Sequence, residues 1–550
     1  MKRIVLTLAL LALSAPAFAQ HAGHDANTRP VTLIDGYGEL HHPVSTRNPE
    51  AQRFFDQGMK LVYAFNHEEA VRSFQHAAAL DPDCAMAYWG VALALGPNIN
   101  LDVDAERERL AYDAIQKAVA LAPKMTEPER AYIAAMARRY SNDAQTDLKK
   151  LNVEYRSAMA DVARRYPDDP DAATLYAESI MLLNPWQYWS ADGKPNEGTL
   201  ELVAVLENVL KRNPDHIGAN HYYIHAVEAS LHPEWALPSA QRLKVLTPAA
   251  GHLVHMPAHI DIRTGNYEAA ARANVYGAQA DRDFIQVAGA QNIYSMMYYS
   301  HNLHFLAVAN CMQGRFTDAQ RAAAQLDAHL KQYLNAPGME AMVPMLDGFF
   351  TMPTVVLVRF QKWDEVLASP EPDKRLAATG AMWRFGRGLA YVAKGKISEA
   401  ENEQKAFAEI VKAIPADAPF GMNKAVGVFK VGELMFAGKI ALAKGDKKAA
   451  IELFKRAVEA EDALRYDEPA DWQLPVREAL GGALLASGDY AAAEQVFRAD
   501  LERNPRSGRS LFGLMESLKG QGKQAAAAFV QQELDAAWKN AEVKLRAADL

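Results

Sequence analysis

The chain has 550 residues, half of them hydrophobic, and a formal net charge of -8 from 59 basic and 67 acidic side chains. That length and apolar content suffice for several domains or for one long repeat array with a large core. The acidic balance, with no basic run, argues against nucleic acid or an anionic membrane surface as partner.

Taken in chain order, residues 1–19 read as a secretory signal. Lys2 and Arg3 are followed by an apolar run, Ile4 to Leu13, and by the small-residue pattern Ala17-Phe18-Ala19. Cleavage after Ala19 is expected, with the bacterial periplasm or the exterior as destination. No later segment offers about 18 uninterrupted apolar residues, so membrane insertion is not expected. Residues 20–48, with His21, His24, His41 and His42, lack helical periodicity and read as a partly ordered arm whose histidines are those of a polar tail.

From Pro49 the pattern is helical almost without interruption. Gly265, Gly314, Gly395, Gly445 and Gly488 are each followed five residues later by alanine, at 270, 319, 400, 450 and 493. Asp81-Pro82, Asn213-Pro214 and Asn504-Pro505 punctuate the ends of units. Glycine ends one helix, alanine allows the next to cross closely, and proline resets the chain. Cys84 and Cys311 lie in apolar helical patterns and read as buried free thiols rather than a disulfide. The expected organisation is 49–215 N-terminal repeats, 216–340 a central histidine-rich section and 341–550 C-terminal repeats.

These signals resemble the tetratricopeptide repeat, a helix-turn-helix unit of about 34 residues. The clearest copies are residues 55–88 and 476–512, and a degenerate unit surrounds Gln361-Lys362-Trp363. The segments CAMAYWG, HYYIHAVE, GHLVHMPAHI and HNLHFL also resemble those of a group of exported bacterial repeat proteins. The resemblance implies an all-α, right-handed α-solenoid. It further implies that the first helix of each unit lines a concave groove suited to a peptide or protein partner.

Nine of the sixteen histidines fall between His216 and His304. His252/His255 and His301/His304 lie 13 and 10 residues before Gly265 and Gly314, so they hold equivalent positions in two successive units. Repeat scaffolds set equivalent positions side by side. His221, His225 and Glu228 share one helical stripe, as do His252, His255 and His259. Pro257 is expected to kink the helix that carries the second stripe.

Imidazoles at this density suit zinc, copper, iron or nickel, as one or two ions. The candidate ligands are His221, His225, His252, His255, His259, His301 and His304. Glu228 is open as ligand, general base or orienting partner. A lone histidine on an apolar face is usually a packing residue; matched faces on adjacent units favour metal over an anion-binding groove or simple packing. Weaker candidates include Asn98, Asn100, Asp102, Asp104 and Glu106, which alternate like a calcium loop but lack its glycine and closing glutamate. The aromatic loop Asn184 to Trp189 and the segment Asp467 to Trp472 read first as packing or capping loops, then as walls of a site. Gly386-Arg-Gly388 is no dinucleotide fingerprint. The sequence supports an exported binding protein with a histidine-rich metal site. A metal-dependent enzyme activating water or oxygen, and a metal-free interaction scaffold, stand as alternatives.

Overall fold

The computed structural model describes residues 29–143, 146–289 and 292–550. The expected signal segment, His21 and His24 lie outside the described residues. The architecture is an all-α, TPR-like solenoid, and the sheet among the described residues is one hairpin, Pro419–Phe420 paired with Asn423–Lys424. Each long helix packs on the next, and many also pack on the helix two along. No single helix among the described residues is long and apolar enough to cross a membrane.

The glycine register governs this geometry. Gly265, Gly314, Gly395, Gly445 and Gly488 all have left-handed backbone, with φ between 70° and 86°. All five alanines that follow them are fully buried, at 0% exposure. A left-handed residue closes the first helix and points the chain back, and a methyl group lets the second helix seat against it. The same slot is held by Gln361, at φ 55°, in the degenerate unit and by Phe65, at φ 56°, in the first. Asp81, Asn213 and Asn504 cap helix C-termini, as the punctuation predicts. Both cysteines are free and buried.

The interior forms two large apolar bodies, one running from Tyr37 to Tyr298 and the other from Ala278 to Leu550, with a small third cluster around Ala258, Phe305 and Met312. The histidine-bearing helices lie at the seam. The arm from Arg29 onward is docked: the backbone N–H of Ile34 donates to Gln57 Oε1 at 2.7 Å, and His42 Nδ1 lies 2.8 Å from Asp171. The first helix, Pro49–Tyr63, also packs across the helix Ile217–Val227, far along the chain. Gly218 makes that crossing close, because a Cβ there would stand 2.4 Å from the Tyr63 ring.

Candidate metal centre

Three segments deliver the histidines. The helix Ile217–Val227 carries His221 and His225, with Glu228 as its C-cap. Next come Gly251–His255 and Pro257–Arg263, two short helices broken at Met256, where Pro257 supplies no amide donor. His301 and His304 stand on Ser300–Met312, which follows a turn of π-helix, Tyr294–Tyr299. π-turns and interior prolines both recur at functional sites, because they re-aim side chains that a regular helix would misplace.

Six imidazoles meet as two triads. In the first, Nε2 of His221 lies 3.1 Å from Nε2 of His225 and 3.1 Å from Nε2 of His252. In the second, Nε2 of His259 lies 2.8 Å from Nε2 of His255 and 3.5 Å from Nε2 of His301. Each set places one ligand atom per residue within 4.8 Å of the others, the arrangement that can hold an ion. The triads adjoin: the rings of His225 and His259 are 5.5 Å apart and those of His252 and His255 are 5.8 Å apart.

The opposite ring nitrogens are engaged by fixed acceptors. His221 Nδ1 donates to the Tyr63 carbonyl at 2.7 Å, and His255 Nδ1 to Asn274 Oδ1 at 2.7 Å. The Asn274 amide is itself oriented, since its Nδ2 donates to the Ala270 carbonyl at 2.8 Å. Glu228 serves both triads at once, with Oε1 2.6 Å from His225 Nδ1 and Oε2 2.5 Å from His259 Nδ1. These acceptors have no proton to give, so the protons of the four rings sit on Nδ1 and their Nε2 atoms are bare lone pairs. Donation of the far ring N–H to a carbonyl or carboxylate is the usual support of a metal-bound histidine.

Burial sets the electrostatics. His221, His225, Glu228, His252, His255 and His259 are all at most 2% exposed, while His301 is half-buried. Desolvation pushes His221, His252, His255 and His301 well below the ordinary histidine range, each lowered further by neighbouring imidazoles. Burial would raise Glu228, but His259 and His225 outweigh it and hold the carboxyl well below the usual range. The site is therefore a cluster of buried imidazoles around one carboxylate that stays ionised.

Aromatic rings close the chamber. Phe65 covers the first triad, stacked 5.4 Å from His252 and 6.0 Å from His225. Phe305 covers the second, 4.8 Å from both His255 and His259. Trp186 lies edge-on to His225 at 5.2 Å and Tyr298 to His252 at 4.7 Å. Phe65 and Trp186 are two of four non-glycine residues with left-handed backbone among the described residues, Trp186 at φ 62°. Such strain costs about 1–3 kcal/mol per residue and persists where surroundings demand it. An open groove was expected from the repeat resemblance; these rings make an enclosed chamber instead.

The chamber also draws on the far end of the solenoid. The Tyr466 hydroxyl lies 3.4 Å from Glu228 Oε2 and 3.3 Å from Glu468 Oε2. The Arg263 guanidinium donates to the Glu228 and Ser230 carbonyls, at 3.0 and 3.1 Å, and stands over the Tyr466 ring. His304, also predicted as a ligand, points away from both triads, and its Nε2 accepts from the Gln473 amide at 2.9 Å. Thus the structure brings together His221, His225, His252, His255, His259, His301 and Glu228 but not His304.

The register of the matched pairs also shifts. His301 meets His255 and His259, not its positional equivalent His252, and a π-turn and the Pro257 break interrupt the two segments that carry them. His232 stacks on exposed Trp235, and His216 bonds Asp171 at 3.1 Å, so neither joins the site. The calcium-like loop is spent on local structure: Asp104 caps the next helix by accepting from the Arg107 N–H, and Asn100 bonds Trp186 and Tyr298 at the rim. Tyr63, Asn274, Phe305, Tyr298 and Tyr466 escaped sequence reasoning. Phe65 left a signal, since it stands where five other units have glycine.

Comparison with known proteins identifies one repeat unit by sequence and finds only distant likeness elsewhere. The tetratricopeptide repeat profile matches residues 434–463, a unit turning at Gly445. No curated protein matches the sequence. Among solved structures, the human IFIT1 dimer with m7Gppp-AAAA is 12% identical over 90% of this chain and 91% of its own, with a TM-score of 0.32. Yeast Tom70 is 11% identical over 88% and 93%, at 0.30. The Cut9–Hcn1 assembly of APC/C is 11% identical over 91% and 95%, also at 0.30. Likeness at this level says nothing of what this chain binds. Tetratricopeptide repeats in general bind peptides or proteins.

Proposed function

We propose that this protein is an exported, TPR-like metalloprotein holding two transition-metal ions, one on His221, His225 and His252 and one on His255, His259 and His301. One observation carries the reading. In each triad two Nε2 lone pairs face each other, at 3.1 Å for His221–His225 and 2.8 Å for His255–His259, while the protons of all four rings are committed to acceptors on the far side. Bare lone pairs at that range repel, and a cation between them turns repulsion into ligation. Two nitrogens bound tetrahedrally to one ion at 2.0–2.1 Å stand roughly 3.3 Å apart, close to what these triads show.

Three protein ligands leave a fourth position open on each ion, where a water or a small molecule binds. In this reading Glu228 is an orienting partner. Both its oxygens are taken by histidine N–H groups, so it neither ligates nor accepts a substrate proton, and it ties the two triads to one carboxylate. Export fits the N-terminal signal pattern of Lys2 to Ala19.

The test is elemental analysis of protein purified without an affinity tag, alongside His252→Ala, His301→Ala and the double variant. Two ions per chain, one after either substitution and none after both, are the expected counts. Metal-free wild type that shows no thermal shift with added Zn²⁺ or Cu²⁺ sinks the reading.

A further inference from the structure

We infer that the two ions are copper, bound as a copper(I) pair, and that the small molecule taken between them is dioxygen. This rests on the two-ion reading above and adds to it the metal and the ligand.

Charge is the first argument. The chamber offers six imidazoles and one carboxylate, and the Arg263 guanidinium is held nearby by the Glu228 backbone carbonyl. Two ions in adjoining triads repel each other in proportion to the product of their charges. A divalent pair therefore repels four times as strongly as a monovalent pair at the same separation. Paired divalent ions in a dry site are normally offset by ligating carboxylates, as in the helical di-iron and di-manganese proteins. Here no carboxylate oxygen is free to ligate. Imidazole suits copper, and a monovalent pair needs least offsetting by a ligating anion.

The walls are the second argument. Phe65, Phe305, Trp186 and Tyr298 line the ring faces and edges of the triads. Among the described residues no lysine or arginine side chain bonds any of the six histidines. A phosphate, carboxylate or other anion would need such donors. A small, uncharged molecule that asks for no hydrogen bond fits. Half-buried His301 and Trp186 mark the two places where the enclosure thins.

The electrons balance within the site. Each copper(I) gives up one electron and becomes copper(II); dioxygen takes both and is held at the peroxide level between the two ions. Its O–O bond order falls from two to one, no proton moves, and the reverse step releases dioxygen.

The experiment uses the full chain. Metal-free protein is loaded with copper(I) under anaerobic conditions, copper is counted by elemental analysis, and dissolved oxygen is then followed on mixing. Two coppers per chain and one dioxygen per two coppers are expected, with copper(I) retained against an equimolar zinc challenge. His301→Ala should hold one copper and take up no dioxygen in that stoichiometry, since one ion supplies one electron. Wild type needs no substitution to decide the matter. Two bound ions without dioxygen uptake, or displacement of copper(I) by zinc, overturn the copper and dioxygen assignment while leaving the two-ion reading intact. Failure to bind any metal overturns both.

Discussion

The C-terminal repeats, 377–537, and the central repeats, 217–312, are built from one plan and obey it to different degrees. In the C-terminal section the glycine and alanine register agrees with the fold. Turn glycines are left-handed and open to solvent, as at Gly445 and Gly488, where an added Cβ would meet nothing within 4 Å. The alanines after them are buried, and apolar rings such as Phe497 fill the interface between Gly481 and Gly513. The central section breaks the plan repeatedly, with a proline inside a helix, a π-turn, a phenylalanine at a glycine slot reaching in from the first unit, and six imidazoles in the interior. Sequences that specify one fold are locally consistent, and they give up consistency where function requires it. The violations cluster on one chamber, which is why the contrast identifies the site.

The contrast can be broken by substitution. Phe497→Ala should cost about 3–5 kcal/mol in the C-terminal repeats, read by denaturant unfolding, and leave metal content unchanged. Loss of metal in that variant would show the two sections to be one cooperative unit. A second, nearly as large effect is a split in pH response. Burial lowers His304 to about 4, so the folded protein resists its protonation while the unfolded chain takes the proton near 6.5. Stability from this residue is present above 6.5 and is lost as pH falls toward 4, by roughly 3 kcal/mol. Glu468 and Asp471 run the other way. Burial first, then neighbouring carboxylates, raise them to about 8 and about 9, so the loop that carries them is most stable when protonated and weakens as pH rises toward those values. Hydrogen exchange should therefore show the helix Ser300–Met312 losing protection on acidification and the segment 465–474 losing it as pH rises from the ordinary carboxyl range toward about 8 and 9. Parallel changes in both would refute the split.

Glu228→Gln sharpens the contrast from inside the chamber. The amide oxygen accepts from one histidine, and the amide nitrogen faces the other N–H without accepting, so metal affinity should fall about 10–100-fold. An unchanged affinity by competition titration would show that the carboxylate has no orienting role. The smallest effect belongs to Gly488→Ala. It forces an L side chain into left-handed backbone at about 1–2 kcal/mol with no steric clash, and metal binding should not respond. A cost near zero would mean that the turn relaxes and that strain at Phe65 is equally cheap.

Much of this was legible in the residues. The glycine and alanine register fixes the helix hairpins because backbone handedness and methyl-sized packing are local demands. Recurrence of histidine at matched positions pointed to convergence for the same reason. What stayed hidden is what depends on distance along the chain. The carbonyl of Tyr63 reaches His221 across 158 positions, and Tyr466 reaches Glu228 across 238. No periodicity encodes those meetings; they follow from how the solenoid curls. The pairing of His301 with His255 and His259 rather than His252 was hidden too, since the matched spacing alone sets His301 beside His252. His304 shows the limit of pattern reasoning. It shares a spacing with true neighbours of the chamber, yet its ring turns to Gln473.

The contact between Tyr466 and Glu228 carries a consequence for how the protein matures. Chain synthesis delivers the six histidines by residue 301, but the tyrosine that abuts their shared carboxylate is still 165 positions from being made. During that interval Glu228 is open on one side, and the triads exist without their last wall. The chamber is thus completed only when the C-terminal repeats dock. Order of assembly therefore sets when the shared carboxylate is shielded.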